Sequence, residues 1–191
     1  MNENILTSFN WLDLLMVIVM IGAVLRGTVQ GFVGELFKLL GLICATIFAL
    51  HFYVRAAEAF RRSFLLSVKF GEVLSFVLIS VLVILIFKLI REGWLLILKV
   101  DTKSSFSQWL GGFVAIFNAL LICGLLFFFI SLFKNDALNI FAEKSVKGVY
   151  LRDLSPRIYK ASYHGALYKF FPDEVINEKA LRILKKESVL K

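Results

Sequence analysis

Four long apolar runs separated by short polar stretches set the plan of this chain. They extend from Phe9 to Leu25, Phe32 to Tyr53, Val73 to Ile90 and Trp109 to Phe133. A bilayer core needs roughly 20 consecutive apolar residues and about 17 at minimum, so each run is read as a transmembrane helix, the first being short for the task. Trp11 stands at the start of the first run, where an indole prefers the interface. Lys88, near the end of the third, has a stem long enough to carry its charge out to the interface.

Between the first two runs lies Arg26 to Glu35, RGTVQGFVGE, with Gly27, Gly31 and Gly34. In this setting it is the tight turn of a transmembrane hairpin. An antiparallel hairpin brings Arg26 and Glu35 to the same membrane face, where an ion pair or snorkelling is expected. Glu35 and Lys38 are one helical turn apart and are expected to pair along one face.

Small residues at four-residue spacing let helix backbones approach closely in lipid. The first span and turn supply Ala23, Gly27 and Gly31, the second Gly41, Ala45 and Ala49, and the fourth Gly111, Ala115, Ala119 and Cys123. The third has only Ser75 and Ser80, so spans one, two and four are expected to form the tight contacts around a more peripheral third. Asn118 is the one strongly polar side chain well inside a span, and a hydrogen bond between helices is its expected role.

The polar stretches are read as connectors. Arg55 to Gly71 is basic and begins like a short surface helix, and Asp101 to Gln108 precedes the last span. Trp94 to Val100 is too short to cross, so it either extends the third helix or lies in the interface. After the spans, Ser155-Pro156 has the form of an N-cap followed by proline at the first helical position. Tyr159, Tyr163, Leu167 and Phe170 then recur at helical spacing. A second helix restarts at Pro172-Asp173-Glu174, with Ile176, Ala180, Ile183 and Leu184 on one face and Lys179, Arg182, Lys185 and Lys186 around the rest. Two amphipathic helices follow, resting on the membrane surface or on the spans; a partner-binding pair has the same pattern. The chain divides into residues 1–133, an all-α, four-helix transmembrane domain, and residues 134–191, a basic amphipathic tail.

Composition agrees. Hydrophobic residues make up 59% and charged residues 19% of the 191, and the mean hydropathy is +0.81, whereas soluble domains sit near roughly 45–50% and about 25%. The tail carries 12 Lys/Arg against 7 Asp/Glu, and so holds +5 of the +8 net charge. Beside membrane spans, that points to anionic lipid rather than nucleic acid. The start, Asn2-Glu3-Asn4, lacks the basic n-region of a secretory signal.

Motifs for chemistry are mostly absent. Cys44 and Cys123 lie in apolar runs without a CxxC or a Cys/His cluster, so each is read as a small buried hydrophobe. The glycines of the turn lack the Lys-Ser/Thr that would hold phosphate and magnesium. His51, at the end of span two, is placed at the interface. No catalytic residue, cofactor or metal site is expected, and the protein is not expected to be an enzyme. A charge within a span is nonetheless a functional-site hypothesis, but Asp13, Glu35 and Glu72 lie too shallow for a proton relay.

Asn10-Trp11-Leu12-Asp13, an apolar run and then RGTVQGFVGE resemble the colicin V production protein (CvpA-like) family, as does Leu110-Gly111-Gly112 at the last span and, more weakly, Leu154-Ser155-Pro156. The residues carrying the likeness are Asp13, Arg26, Gly27, Gly31, Phe32, Glu35 and Gly111. The chain departs from the pattern at Ala115, where relatives often have a second glycine. It also lacks the basic residue common near the start of that span, with Gln108 and Asn118 the nearest polar substitutes, and its tail is longer than in compact members. Some relatives carry a serine protease domain, for which this chain has no motif. The resemblance implies a multi-pass inner-membrane protein needed for production or export of a colicin-type toxin and for envelope upkeep. It supplies no mechanism. A small transporter or channel component, with a conduit between the small-residue faces, is the alternative, and a membrane anchor whose tail recruits a soluble enzyme is a third. The expected partners are the bilayer, anionic lipid at the tail, and a protein partner or a second copy of the chain.

Overall fold

The computed structural model describes residues 11–64, 67–98, 104–132, 148–170 and 175–181. Every element among them is helical: α1 (Trp11–Phe64), α2 (Val68–Leu98), α3 (Ser105–Leu132) and α4 (Gly148–Ser162), the last running on through a π-turn (Tyr163–Leu167) into Tyr168–Phe170. Among the described residues, α1, α2 and α3 are long and apolar enough to cross a membrane.

α1 is not one straight rod. Gly31 interrupts it with φ 72° and ψ 175°, a backbone region essentially closed to residues with a Cβ. The packing reverses there. Before Gly31, Met16 packs with Cys123 and Phe127, and Gly27 abuts Gly111 and Ala115, so rising numbers in α1 meet falling numbers in α3. After Gly31 the order inverts: the Phe32 amide donates to Ser107 Oγ at 3.1 Å, Asn118 reaches Glu35, and Tyr53 meets Phe128 edge-on at 6.2 Å. A first arm (11–30) and a second arm (32–64) therefore run antiparallel along α3. The sharp bend within RGTVQGFVGE is made by one residue, not by a ten-residue loop.

The connector expected over Arg55 to Gly71 is largely helix instead, and of the two readings of Trp94 onward the helical extension holds. The second arm runs on past Tyr53 to Phe64, and α2 begins at Val68, so most of Arg55 to Gly71 is helical. α2 continues to Leu98, which makes Trp94 onward an extension of the third helix. Backbone hydrogen bonds of the helix satisfy every amide more cheaply than a coil would in or near lipid.

α2 packs antiparallel on the second arm, with Phe37 against Trp94, Gly41 against Phe87 and Tyr53 against Phe76. It is the outlying helix: 17% of its most apolar stretch is buried, against 44% in α1 and 50% in α3. That is the expected arrangement, with one correction. Gly41 does not join the α1–α3 seam but receives Phe87 of α2, while Ala45, Ala49, Ala115 and Ala119 are fully buried. Ala23 is half-buried.

Ser155 is not an N-cap. α4 begins at Gly148 and carries Pro156 within it, and both residues are buried. α4 packs across α1 and α3. Pro172, Asp173, Glu174, Arg182, Ile183, Leu184, Lys185 and Lys186 lie outside the described residues. The short helix at 178–181 is capped by Asn177, whose Oδ1 accepts from the amides of Lys179 at 3.2 Å and Ala180 at 3.4 Å, the usual N-cap role of asparagine.

Candidate functional site

Polar groups buried in this apolar bundle form two clusters, one below the Gly31 turn and one where α4 docks. In the first, below the Gly31 turn, Glu35 and Asn118 are each 1% exposed. Asn118 Nδ2 donates to Glu35 Oε2 at 2.6 Å and to the Glu35 carbonyl at 3.1 Å. Lys38 donates to Glu35 Oε1 at 2.5 Å. At 1.5 Å rise per residue, Glu35 lies about 6 Å and Lys38 about 10 Å beyond Gly31. Both carboxylate oxygens thus have a donor, one neutral and one charged, which is the arrangement a buried anion requires.

The close approach above this pair explains why small residues occur at Gly27, Gly31 and Gly111. A methyl at Gly111 would lie 2.5 Å from the Gly27 carbonyl oxygen and 2.8 Å from the Gly31 carbonyl carbon. A methyl at Gly27 would collide with Ala115 Cβ and lie 2.8 Å from the Gly111 oxygen. Only with α3 this near can Asn118 reach across to Glu35.

The structure brings Gly27, Gly31, Phe32, Glu35 and Gly111 together, and Asn118 with them. It does not pair Arg26 with Glu35. Glu35 is taken by Lys38 and Asn118, while Arg26 is exposed and faces a cleft between the second arm and α2. Asp13 lies in the first turn of α1, but its side chain lies outside the described residues. Ala45, Ala49 and Ala119 belong to the packed seam rather than to the polar site.

A second polar cluster, at the opposite end, fastens the tail. Tyr159, fully buried, places its hydroxyl 2.8 Å from His51 Nδ1. The same oxygen accepts the Asn177 amide at 3.0 Å, leaving its own proton available to His51. Asn177 Nδ2 donates to the Leu50 carbonyl at 2.7 Å, and Lys179 pairs with Glu72 at the start of α2. His51 is therefore a buried docking residue, 4% exposed, and not an interfacial one. The ion pair of Glu72 with Lys179 spans 107 positions in the sequence, and no local spacing signals it. Among the described residues no group of three His, Cys, Asp or Glu side chains is placed to hold a metal ion.

The family model described as colicin V production protein matches residues 12–156. This chain belongs to that family. The matched span takes in the Gly31 turn, the Glu35–Asn118 pair, the Gly27–Gly111 contact and most of α4, and stops before Tyr159 and Asn177. The first polar cluster lies wholly within the match, as do His51 and Glu72 of the second, whereas Tyr159, Asn177 and Lys179 lie beyond it. No curated protein sequence and no solved structure matches the chain. The protein is a membrane protein of the colicin V production family.

Proposed function

We propose that this protein is a four-crossing component of the bacterial inner membrane that assists the production or export of a colicin-type toxin, and envelope upkeep with it, without catalysing a reaction. The observation that carries the reading is the Glu35–Asn118 hydrogen bond. It ties the family's turn to its last span, so that the matched region acts as one rigid membrane unit. The reversal at Gly31 supports two crossings in α1, each arm being at least 20 residues long and therefore about 30 Å. Four crossings place both termini on one side. Reporters fused before Met1 and after Lys191 should give the same sidedness; opposite sidedness rejects the fourth crossing.

The tail contributes a cationic surface beside that unit. Tyr159 and Tyr163 face inward, while Arg157, Lys160 and Lys169 are exposed, the disposition suited to anionic headgroups or to an acidic partner. Toxin export from a strain lacking the gene, complemented by Glu35→Gln or Asn118→Leu, tests the assignment. Full complementation by variants whose turn has come apart would remove the reason for placing function there.

A transporter component is the second reading, favoured by the presence of a buried carboxylate within a span. Set against it is the closed seam between the small-residue faces, where Ala45, Ala49, Ala115 and Ala119 are fully buried. Ion flux through liposomes containing only this protein would support the transporter and displace the first reading.

A further inference from the structure

The first polar cluster has a neighbour with different chemistry. A cleft of about 360 Å³ lies beside the Gly31 turn, between the second arm and α2, with Arg26 and Gln30 of the first arm closing its rim. Its polar rim is formed by Arg26, Gln30, Lys38, Lys88 and Arg91, four of them cations, and its floor is apolar. Two carboxylates pair with three of these cations and leave the rim a net charge of +2. Glu35 is bound to Lys38 from beneath, and Glu92 stands 3.9 Å from both Lys88 and Arg91. Among the described residues no carboxylate pairs with Arg26. Arg91 donates to Gln30 Oε1 at 3.0 Å, while its Nε is buried without a hydrogen-bond partner.

The cleft does not end at its floor. Leu42, Ile84 and Ile122 also line a second groove, of about 330 Å³, that continues between α2 and α3 past Phe76, Val81 and Phe129. No polar atom contributes to its accessible lining. This groove exists because α2 leans on the second arm of α1 and barely touches α3. A cationic mouth leading into an apolar track, each of ordinary ligand-site size at roughly 300–1,000 Å³, is complementary to one kind of molecule.

We propose that the cleft and groove together bind an anionic phospholipid, its phosphate at Arg26, Arg91 and Lys88 and one acyl chain along the α2–α3 groove. Guanidinium groups match phosphate oxygens by bidentate hydrogen bonding, and Arg91 Nε is a donor in want of an acceptor. The cations crowd one end of the bundle, beside the Gly31 turn, where a headgroup would lie. A zwitterionic headgroup would place its ammonium against a rim of net positive charge and bind less well. This lipid site is distinct from the described part of the tail, whose Tyr159 and Asn177 dock at the opposite end.

Native mass spectrometry of the full-length protein, in nonionic micelles doped with phosphatidylglycerol or with phosphatidylcholine, tests the proposal. Phosphatidylglycerol should be retained at about tenfold lower concentration than phosphatidylcholine. Each rim cation near a headgroup contributes a factor of about five. Arg26→Gln with Arg91→Gln should therefore weaken phosphatidylglycerol about 25-fold and phosphatidylcholine less, so that the preference for the anionic lipid shrinks. Lys88→Gln, at a side chain 59% exposed and so without consequence for folding, should weaken it about fivefold. Ile84→Trp, which fills the track, should weaken both lipids. Glycerol phosphate, the head without the chains, should not compete at lipid concentrations. Unchanged phosphatidylglycerol binding in Lys88→Gln and in the double variant would overturn the site. Equal competition by glycerol phosphate would overturn the lipid in favour of a free anion.

Discussion

The contact between Gly27, Gly31 and Gly111 makes a prediction whose sign can be worked out from the distances. Alanine in place of a helical glycine gains about 0.8–1 kcal/mol of helix propensity. At Gly111 the new methyl would stand 2.5 Å from the Gly27 carbonyl oxygen, 2.8 Å from the Gly31 carbonyl carbon and 3.1 Å from its Cα. Ordinary contact begins near 3.5 Å, so α3 and the turn must separate by about 1 Å. All three obstructing atoms are backbone, and no rotamer change relieves them. Overpacking of this kind costs about 1–3 kcal/mol, and the separation also stretches the Phe32–Ser107 and Asn118–Glu35 hydrogen bonds. The unfavourable terms win, and Gly111→Ala should lose about 2 kcal/mol net.

Gly22 and Gly93 provide the control, because a methyl at either meets nothing within 4 Å. Their alanine variants should be neutral or more stable by up to about 1 kcal/mol. Reversible unfolding in mixed micelles, titrated with SDS, measures all three against the parent protein. If Gly111→Ala unfolds at the same SDS fraction as Gly22→Ala, the close backbone approach is not present in the membrane-inserted protein.

Other perturbations address the remaining contacts. Asn118→Leu strands a buried carboxylate oxygen but also removes an unpartnered amide oxygen, Asn118 Oδ1. Hydrogen bonds inside membranes contribute about 0.6 kcal/mol on average and about 1.7 at most; a charged acceptor puts this one at the upper end, so the variant should lose about 1.5 kcal/mol in the same titration, more than Glu35→Gln, which keeps a hydrogen-bonding partner for Asn118. Equal losses would mean that the hydrogen bond is not what the site depends on. Ala115→Leu, at a fully buried position, should destabilise by at least about 2 kcal/mol, whereas Val81→Leu, at a side chain 48% exposed, should be within about 0.5 kcal/mol of the parent protein. Tyr159→Phe removes the hydroxyl shared by His51 and Asn177, and protease should then cut the tail before the bundle unfolds; tail and bundle lost together would refute separate docking.

What was legible in the sequence was what local pattern determines. Runs of apolar residues marked the helices, and four-residue spacing of small residues marked the faces that touch. The pairing of Glu35 with Lys38 followed from three-residue spacing on one helix. Asn118 was legible as an interhelical hydrogen bond because a lone amide in lipid must find an acceptor, though nothing local named Glu35, 83 positions away. The errors share a cause. Ser155-Pro156 matches a helix start in isolation, but α4 had already begun at Gly148, and the pattern cannot reveal that its buried face continues on both sides of the proline. Gly41 fits the same spacing as Ala45 and Ala49, yet it turns to Phe87, because spacing gives a face without giving the neighbour.

The missing Arg26–Glu35 pair bears on how the polar residues divide the work. An ion pair across the turn would have consumed both charges in holding the hairpin. Instead, Gly31 makes the reversal by backbone geometry and Asn118 secures Glu35 from α3, so Arg26 is not required for either. A cation left over beside a membrane interface, with Arg91 and Lys88 brought to it by the antiparallel packing of α2 on the second arm, produces a positive cleft that no single stretch of sequence contains. The turn therefore has two consequences: toward α3 it closes the bundle tightly enough to bury a carboxylate, and toward α2 it leaves that carboxylate's natural sequence neighbour free to meet an anion from outside.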